Sequence, residues 1–126
     1  MKYELTAEVK VVFGVTLHRV KALKAFADVA AGDLGGWVEK QNNLDQEGDA
    51  WVYGDARVSG NAWVSGNAWV YGNAWVSGNA RVYGNAWVYD DAWVSGNAQV
   101  SGNARVYGTA RVYDDARVSG DVEAAS

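Results

Sequence analysis

The sequence contains one histidine, His18. General acid–base catalysis needs a group that titrates near neutral pH, and histidine is its commonest source. His18 lies outside the repeated part of the chain, in a stretch that reads as a strand, where a satisfied or exposed structural histidine is expected. Cysteine is absent, which excludes disulfides and thiolate chemistry. The adjacent carboxylates Asp90-Asp91 and Asp114-Asp115 are the other candidates. A calcium ion wants about six or more oxygens, and the two pairs fall on different corners of the repeat. They are therefore expected as exposed corners that tolerate the left-handed conformation. Gly35-Gly36 has no lysine or phosphate-loop pattern after it and reads as a turn. No catalytic residue, metal site or cofactor is expected.

These residues must be positioned by a repeat. From Gly48 the chain reads in sixes (GDAWVY, GDARVS, GNAWVS, GNAWVY and onward), for twelve consecutive hexads ending at Ser119. Within each, four residues of the Ala-Trp-Val-Tyr kind alternate and read as a short strand. Ala and Val point one way, and Trp or Arg and Tyr or Ser the other. Gly-Asn or Gly-Asp makes the corner, because both residue types accept positive φ. If three corners close one coil, strands stack in parallel on residues eighteen positions away. Valines and alanines then line a common interior. The Asn columns 61, 79, 97 and 67, 85, 103 are expected to form amide ladders.

Sorting outward positions by eighteen gives three faces. The first carries Trp51, Trp69, Trp87 and Arg105 beside Tyr53, Tyr71, Tyr89 and Tyr107. It is the expected binding or oligomer face, because a monomer rarely leaves so large an aromatic patch bare. The second, mixed face carries Arg57, Trp75, Trp93 and Arg111. The third carries Trp63, Arg81, Gln99 and Arg117.

The chain has 126 residues and a formal net charge of −4, enough for one compact domain. Residues 41–126 hold five arginines and ten Asp or Glu. This acidic balance argues against nucleic acid as partner. No apolar run approaches a membrane span and no signal-peptide pattern is present, so a cytoplasmic location is expected. Residues 1–33 read as a β-rich cap: a strand or two over 3–12, a turn at Phe13-Gly14, a strand over 16–23, then a short helix or a continuation. Residues 34–47 read as an imperfect first coil, with Lys40 and Gln46 at inward positions that an apolar core resists. Residues 120–126 read as a C-terminal tail.

The aliphatic residue followed four positions later by a small one (Val52…Ala56, Val58…Ala62) resembles the hexapeptide-repeat pattern of the left-handed parallel β-helix. That resemblance, and not the spacing, implies the left hand. The expected fold is all-β: a single-stranded left-handed parallel β-helix with three hexads per coil and about four to five coils. The segments KYELT, ADVAAGDLGGWVE and NLDQEGDAWVYGDARV resemble bacterial and prophage-borne hexapeptide-repeat proteins, often labelled transferases. Many proteins of this fold are acyltransferases with a coil-borne histidine at a trimer interface. These coils carry no histidine, no lysine and no long loop, so an enzyme is not expected. The expected function is a non-catalytic phage- or prophage-type scaffold for self-association, as a dimer or trimer, and for protein binding. It would act as a modulator or inhibitor of a host protein. A carbohydrate-binding module using the aromatic face is one alternative, and a hexapeptide-repeat acyltransferase is the other.

Overall fold

The computed structural model describes residues 1–125. Two long strands open the chain, β1 (Tyr3–Val12) and β2 (Val15–Ala22), followed by β3 (Leu34–Val38) and a 3-10 turn at Gln41–Asn43. Thirteen two-residue strands follow, from Trp51–Val52 to Glu123–Ala124. Each contains one outward and one inward residue of a hexad.

Parallel pairing at eighteen residues sets the architecture. Trp51 pairs with Trp69, Trp69 with Trp87, and Trp87 with Arg105. The second face runs Arg57, Trp75, Trp93, Arg111 and the third Trp63, Arg81, Gln99, Arg117. Three hexads per circuit therefore hold from Trp51 onward. Backbone N–H groups donate to the next coil, as in Trp51 N to Ala68 O at 3.1 Å and Tyr53 N to Val70 O at 3.0 Å. The interior is a stack of valines and alanines, and every one from Ala50 to Val106 is fully buried. The structure is thus a parallel β-solenoid of about five turns. It continues past Ser119: Glu123–Ala124 pairs with Arg105–Val106, so most of the expected tail is one more side of a coil.

The corners behave as their residue types dictate. Asp90 and Asp114 adopt φ of 58° and 54°, where the other hexads place glycine. Asn61, Asn79 and Asn97 form a ladder that ends on Asp115, with N···O distances of 3.3 Å. Asn67, Asn85 and Asn103 form a second that ends on Asp121. A carboxylate is a fitting last rung, because it only accepts. The first ladder also begins on a cation, since Lys40 Nζ donates to Asn61 Oδ1 at 2.7 Å.

The first coil departs from the strict frame. Val38 stacks on Val58 and Leu44 on Val64, twenty residues apart instead of eighteen. Two extra residues therefore lie between Leu44 and Val52. Lys40 and Gln46 do not point inward as the sequence frame placed them; Leu44 fills the interior there. Gln46 instead clamps the start of β1. Its Oε1 accepts from the backbone N–H of Lys2 at 2.9 Å and of Tyr3 at 3.2 Å, and its Nε2 donates to Tyr3 O at 3.2 Å. Asn43 is fully buried with every hydrogen-bonding capacity used. Its Oδ1 accepts from the N–H of Glu39 and Lys40, and its Nδ2 donates to Gly60 O and Ala62 O.

Gly35 and Gly36 are not a turn. They lie within β3, where a Cβ on Gly35 would come within 2.5 Å of both a Val20 methyl and Val52 O. The hairpin of β1 and β2 turns at Phe13-Gly14 (φ 51° and 78°), as a primed hairpin turn requires. It extends the second face antiparallel through β3. No helix forms over 24–31; Phe26 and Val29 make an isolated antiparallel bridge instead. No helix among the described residues is long and apolar enough to cross a membrane.

Replacing Asn43 by leucine strands the Lys40 N–H of the first coil and the Gly60 and Ala62 carbonyls of the next, while the Glu39 N–H keeps Val58 O. Each buried unpaired group costs about 1–3 kcal/mol, so urea denaturation should show a loss of about 3 kcal/mol or more. A loss below about 1 kcal/mol would mean that Asn43 does not hold that coil.

Candidate functional site

The first face contains the expected aromatic columns. Tyr53, Tyr71, Tyr89 and Tyr107 stack in register, with ring centroids 4.9, 5.0 and 5.2 Å apart and planes within 8°. Parallel pairing forces this, since identical residues eighteen apart stand one strand spacing apart. Trp69 meets Tyr53 edge-on at 5.4 Å, Trp87 meets Tyr71 edge-on at 6.1 Å, and the Arg105 guanidinium lies 4.8 Å from the Trp87 ring. Burial pushes the Tyr71 phenol up to about 12, with the neighbouring Tyr53 and Tyr89 adding to the shift. Burial likewise raises Tyr53 and Tyr89. The column is closely packed.

Trp51 departs from the expected exposed column. It is only 2 % exposed, because Tyr3 and Phe26 pack edge-on against it at 6.4 and 5.2 Å. The N-terminal segment thus covers the first coil of this face sideways as well as extending a sheet. The accessible part runs from Tyr53 and Trp69 down to Tyr107. At its upper end a hollow of about 450 Å³ opens between Trp51, Tyr53 and Trp69 on one side and Asp28, Val29 and Leu34 on the other. Trp69 is half-buried, its indole N–H held by Asp49 O at 2.9 Å, and Trp87 is 38 % exposed.

The second face is partly occupied by the hairpin. Phe13, at its tip, stacks on Trp75 at 5.5 Å with planes 6° apart. Arg57 lies over the same indole and Arg111 over Trp93. Lys10 and Arg19 both sit over Trp37, which heads this column. Desolvation first, and the nearby Arg57 second, hold the Lys10 ammonium below its usual range. Sequence spacing could not place Phe13 or Lys10, because neither belongs to the repeat.

Lys2 is a further residue the sequence did not single out. It is buried, its Nζ donates to Ala50 O at 2.6 Å, and desolvation lowers its pKa to about 8 despite the nearby Asp45 and Asp49. Its partners are the backbone carbonyls of Gly48 and Ala50, which makes it a structural plug. His18 is half-exposed on β2, paired across to Val9 and Val38. Among the described residues no three His, Cys, Asp or Glu side chains converge on a point that could hold a metal ion. The two acidic corners are separate: Asp91 accepts from Asn73, Asp90 from the Gly108 N–H, and Asp115 from Asn97.

Comparison with known proteins agrees with this geometry. The chain is 44 % identical over 39 residues to the "Uncharacterized acetyltransferase YdcK" of Escherichia coli (strain K12), a match covering 31 % of this chain and 12 % of that protein. The chain thus matches only about an eighth of that relative's length. The family pattern described as the YdcK beta solenoid repeat matches residues 50–66, 62–78, 74–90, 80–96, 98–109 and 110–122, together more than half of the chain. The matched segments are the coils themselves, and the chain belongs to the YdcK β-solenoid repeat family.

Proposed function

We propose that this β-solenoid is a non-catalytic scaffold that self-associates, as a dimer or trimer, through its first face and offers the same rigid surface to a protein partner. The observation that carries the reading is the unbroken column of four stacked tyrosines flanked by Trp69, Trp87 and Arg105. Tyr, Trp and Arg are the residues in which interface energy concentrates. A column fixed by strand stacking has little side-chain entropy left to lose on binding. The hollow beside Trp69, with Asp28 at its edge, suits an apolar or basic side chain from the partner. On this reading the partner is a second copy or, given the resemblance to prophage-borne proteins, a host protein whose activity it modulates in the cytoplasm.

Acyl transfer is the second reading, favoured by the name of the Escherichia coli relative. Against it stands the lack of any histidine within the hexads, and of any break in the eighteen-residue stacking register from Trp51 to Val118 where a substrate loop would insert.

Replacing Trp69 and Trp87 together by serine should lower the solution mass measured by light scattering to that of a monomer. A mass equal to that of the unaltered protein would reject the aromatic interface. Titration with millimolar acetyl-CoA in a calorimeter should give no heat of binding, whereas a saturable heat would favour the acyltransferase.

A further inference from the structure

The N-terminal segment treats the three faces unequally. On the first face it covers Trp51, and on the second it covers Trp37 and Trp75. On the third face the first coil supplies only the 3-10 turn at Gln41–Asn43 and the single bridge at Leu44. Nothing among the described residues stacks on the upper side of Trp63, which remains 41 % exposed. A notch of about 520 Å³ results, with Trp63 and Arg81 as its floor and Lys40, Gln41, Asn42 and Asp45 among its walls. A second cavity of about 190 Å³ continues down the face. It shares Trp63 and Arg81 with the first and is completed by Ser65, Tyr83 and Gln99.

The lining has a definite chemistry. The Arg81 guanidinium lies 6.0 Å from the Trp63 ring, which holds it extended along the floor. The one ion pair among the described residues is Arg19 with Glu8, so Arg81 meets no carboxylate. Lys40 brings a second positive charge, with one of its hydrogens already given to Asn61 Oδ1. Asp45 supplies one negative charge, and the balance in the first cavity is one net positive charge. That balance suits a ligand carrying one anionic group per unit, and Asp45 disfavours a multiply charged phosphate. Amides and hydroxyls from Gln41, Asn42, Ser65 and Tyr83 match a ligand rich in hydroxyl groups, and a half-exposed indole offers a flat apolar platform for a ring.

We propose that the third face binds an acidic oligosaccharide of uronate type. One sugar ring stacks on Trp63 with its carboxylate on Arg81 and Lys40, and the next ring occupies the adjoining cavity. Arginine is the fitting anchor, because its planar fork can grip a carboxylate through two parallel hydrogen bonds. The site is separate from the tyrosine column, so it does not depend on the oligomer reading.

The test uses digalacturonate and its neutral methyl ester as probes, followed by amide and indole NMR shifts on the intact chain. Digalacturonate should move the signals of residues 40–46, Trp63 and Arg81. It should also bind about tenfold or more tightly than the ester. Arg81→Gln and Trp63→Ala should each weaken it by about tenfold, with circular dichroism unchanged, while Trp87→Ala should leave it unaltered. Equal binding of acid and ester would overturn the proposal, as would indifference to both third-face substitutions. Inorganic phosphate that displaces digalacturonate at equal affinity would overturn the assignment to a sugar acid.

Discussion

Parallel pairing of residues eighteen apart is the constraint on which the rest of this molecule depends. It places valine on valine and alanine on alanine in a dry interior, and it aligns each backbone N–H with a carbonyl of the next coil. The same alignment places tyrosine on tyrosine, indole against indole or guanidinium, and amide on amide outside. The outward columns are thus consequences of the inward ones. No separate device aims the four phenols of the first face; each is oriented because its own valine neighbour is locked. Apolar burial supplies the drive and the ladder supplies the register.

The repeat itself was legible in the sequence because each hexad states its own inside and outside. Val, Ala and the glycine corners occur at fixed spacing, and twelve copies leave no ambiguity of frame. The three faces and the ladders ending in aspartate follow from counting by eighteen. What could not be read lies where repeat meets non-repeat. Trp51 fits the template for an exposed residue, and only the packing of Tyr3 and Phe26, from a segment without periodicity, buries it. Gly35 and Gly36 look like a turn, yet they are small because Val20 and Val52 crowd them. Leu44 and Asn43 sit two residues out of step with the later hexads, and a fixed frame assigns their neighbourhood wrongly. Such contacts join residues tens of positions apart and leave no local pattern.

The N-terminal segment also gives the faces different characters. One coil edge must be protected from open-ended pairing, and here the hairpin and the loop after it do this by continuing the second sheet and leaning over the first face. Lys2 Nζ donating to Ala50 O, the Tyr3 hydroxyl donating to Gln41 O and Gln46 Oε1 accepting from the Lys2 N–H fix that arrangement. The third face receives no such cover. A repeat that is nearly uniform in sequence therefore presents a packed aromatic column, a partly occupied aromatic–arginine face and an open polar notch. Arg81, Arg105 and Arg111 lie over indoles instead of against carboxylates. None of the three guanidinium groups is paired with a carboxylate among the described residues.

The circuit length can be tested chemically, because the chain has no cysteine of its own. Ser77 and Ser95 stand eighteen apart on adjacent coils of the second face, whereas Ser65 and Ser77 stand twelve apart on different faces. Air oxidation of the double variant Ser77→Cys with Ser95→Cys should give an intramolecular disulfide, since stacked strands bring the two Cα atoms within the roughly 4.4–6.8 Å that the bond requires. The variant Ser65→Cys with Ser77→Cys should remain reduced within one chain. A disulfide in the second variant and none in the first would contradict three hexads per turn, and every face assigned from that count with it.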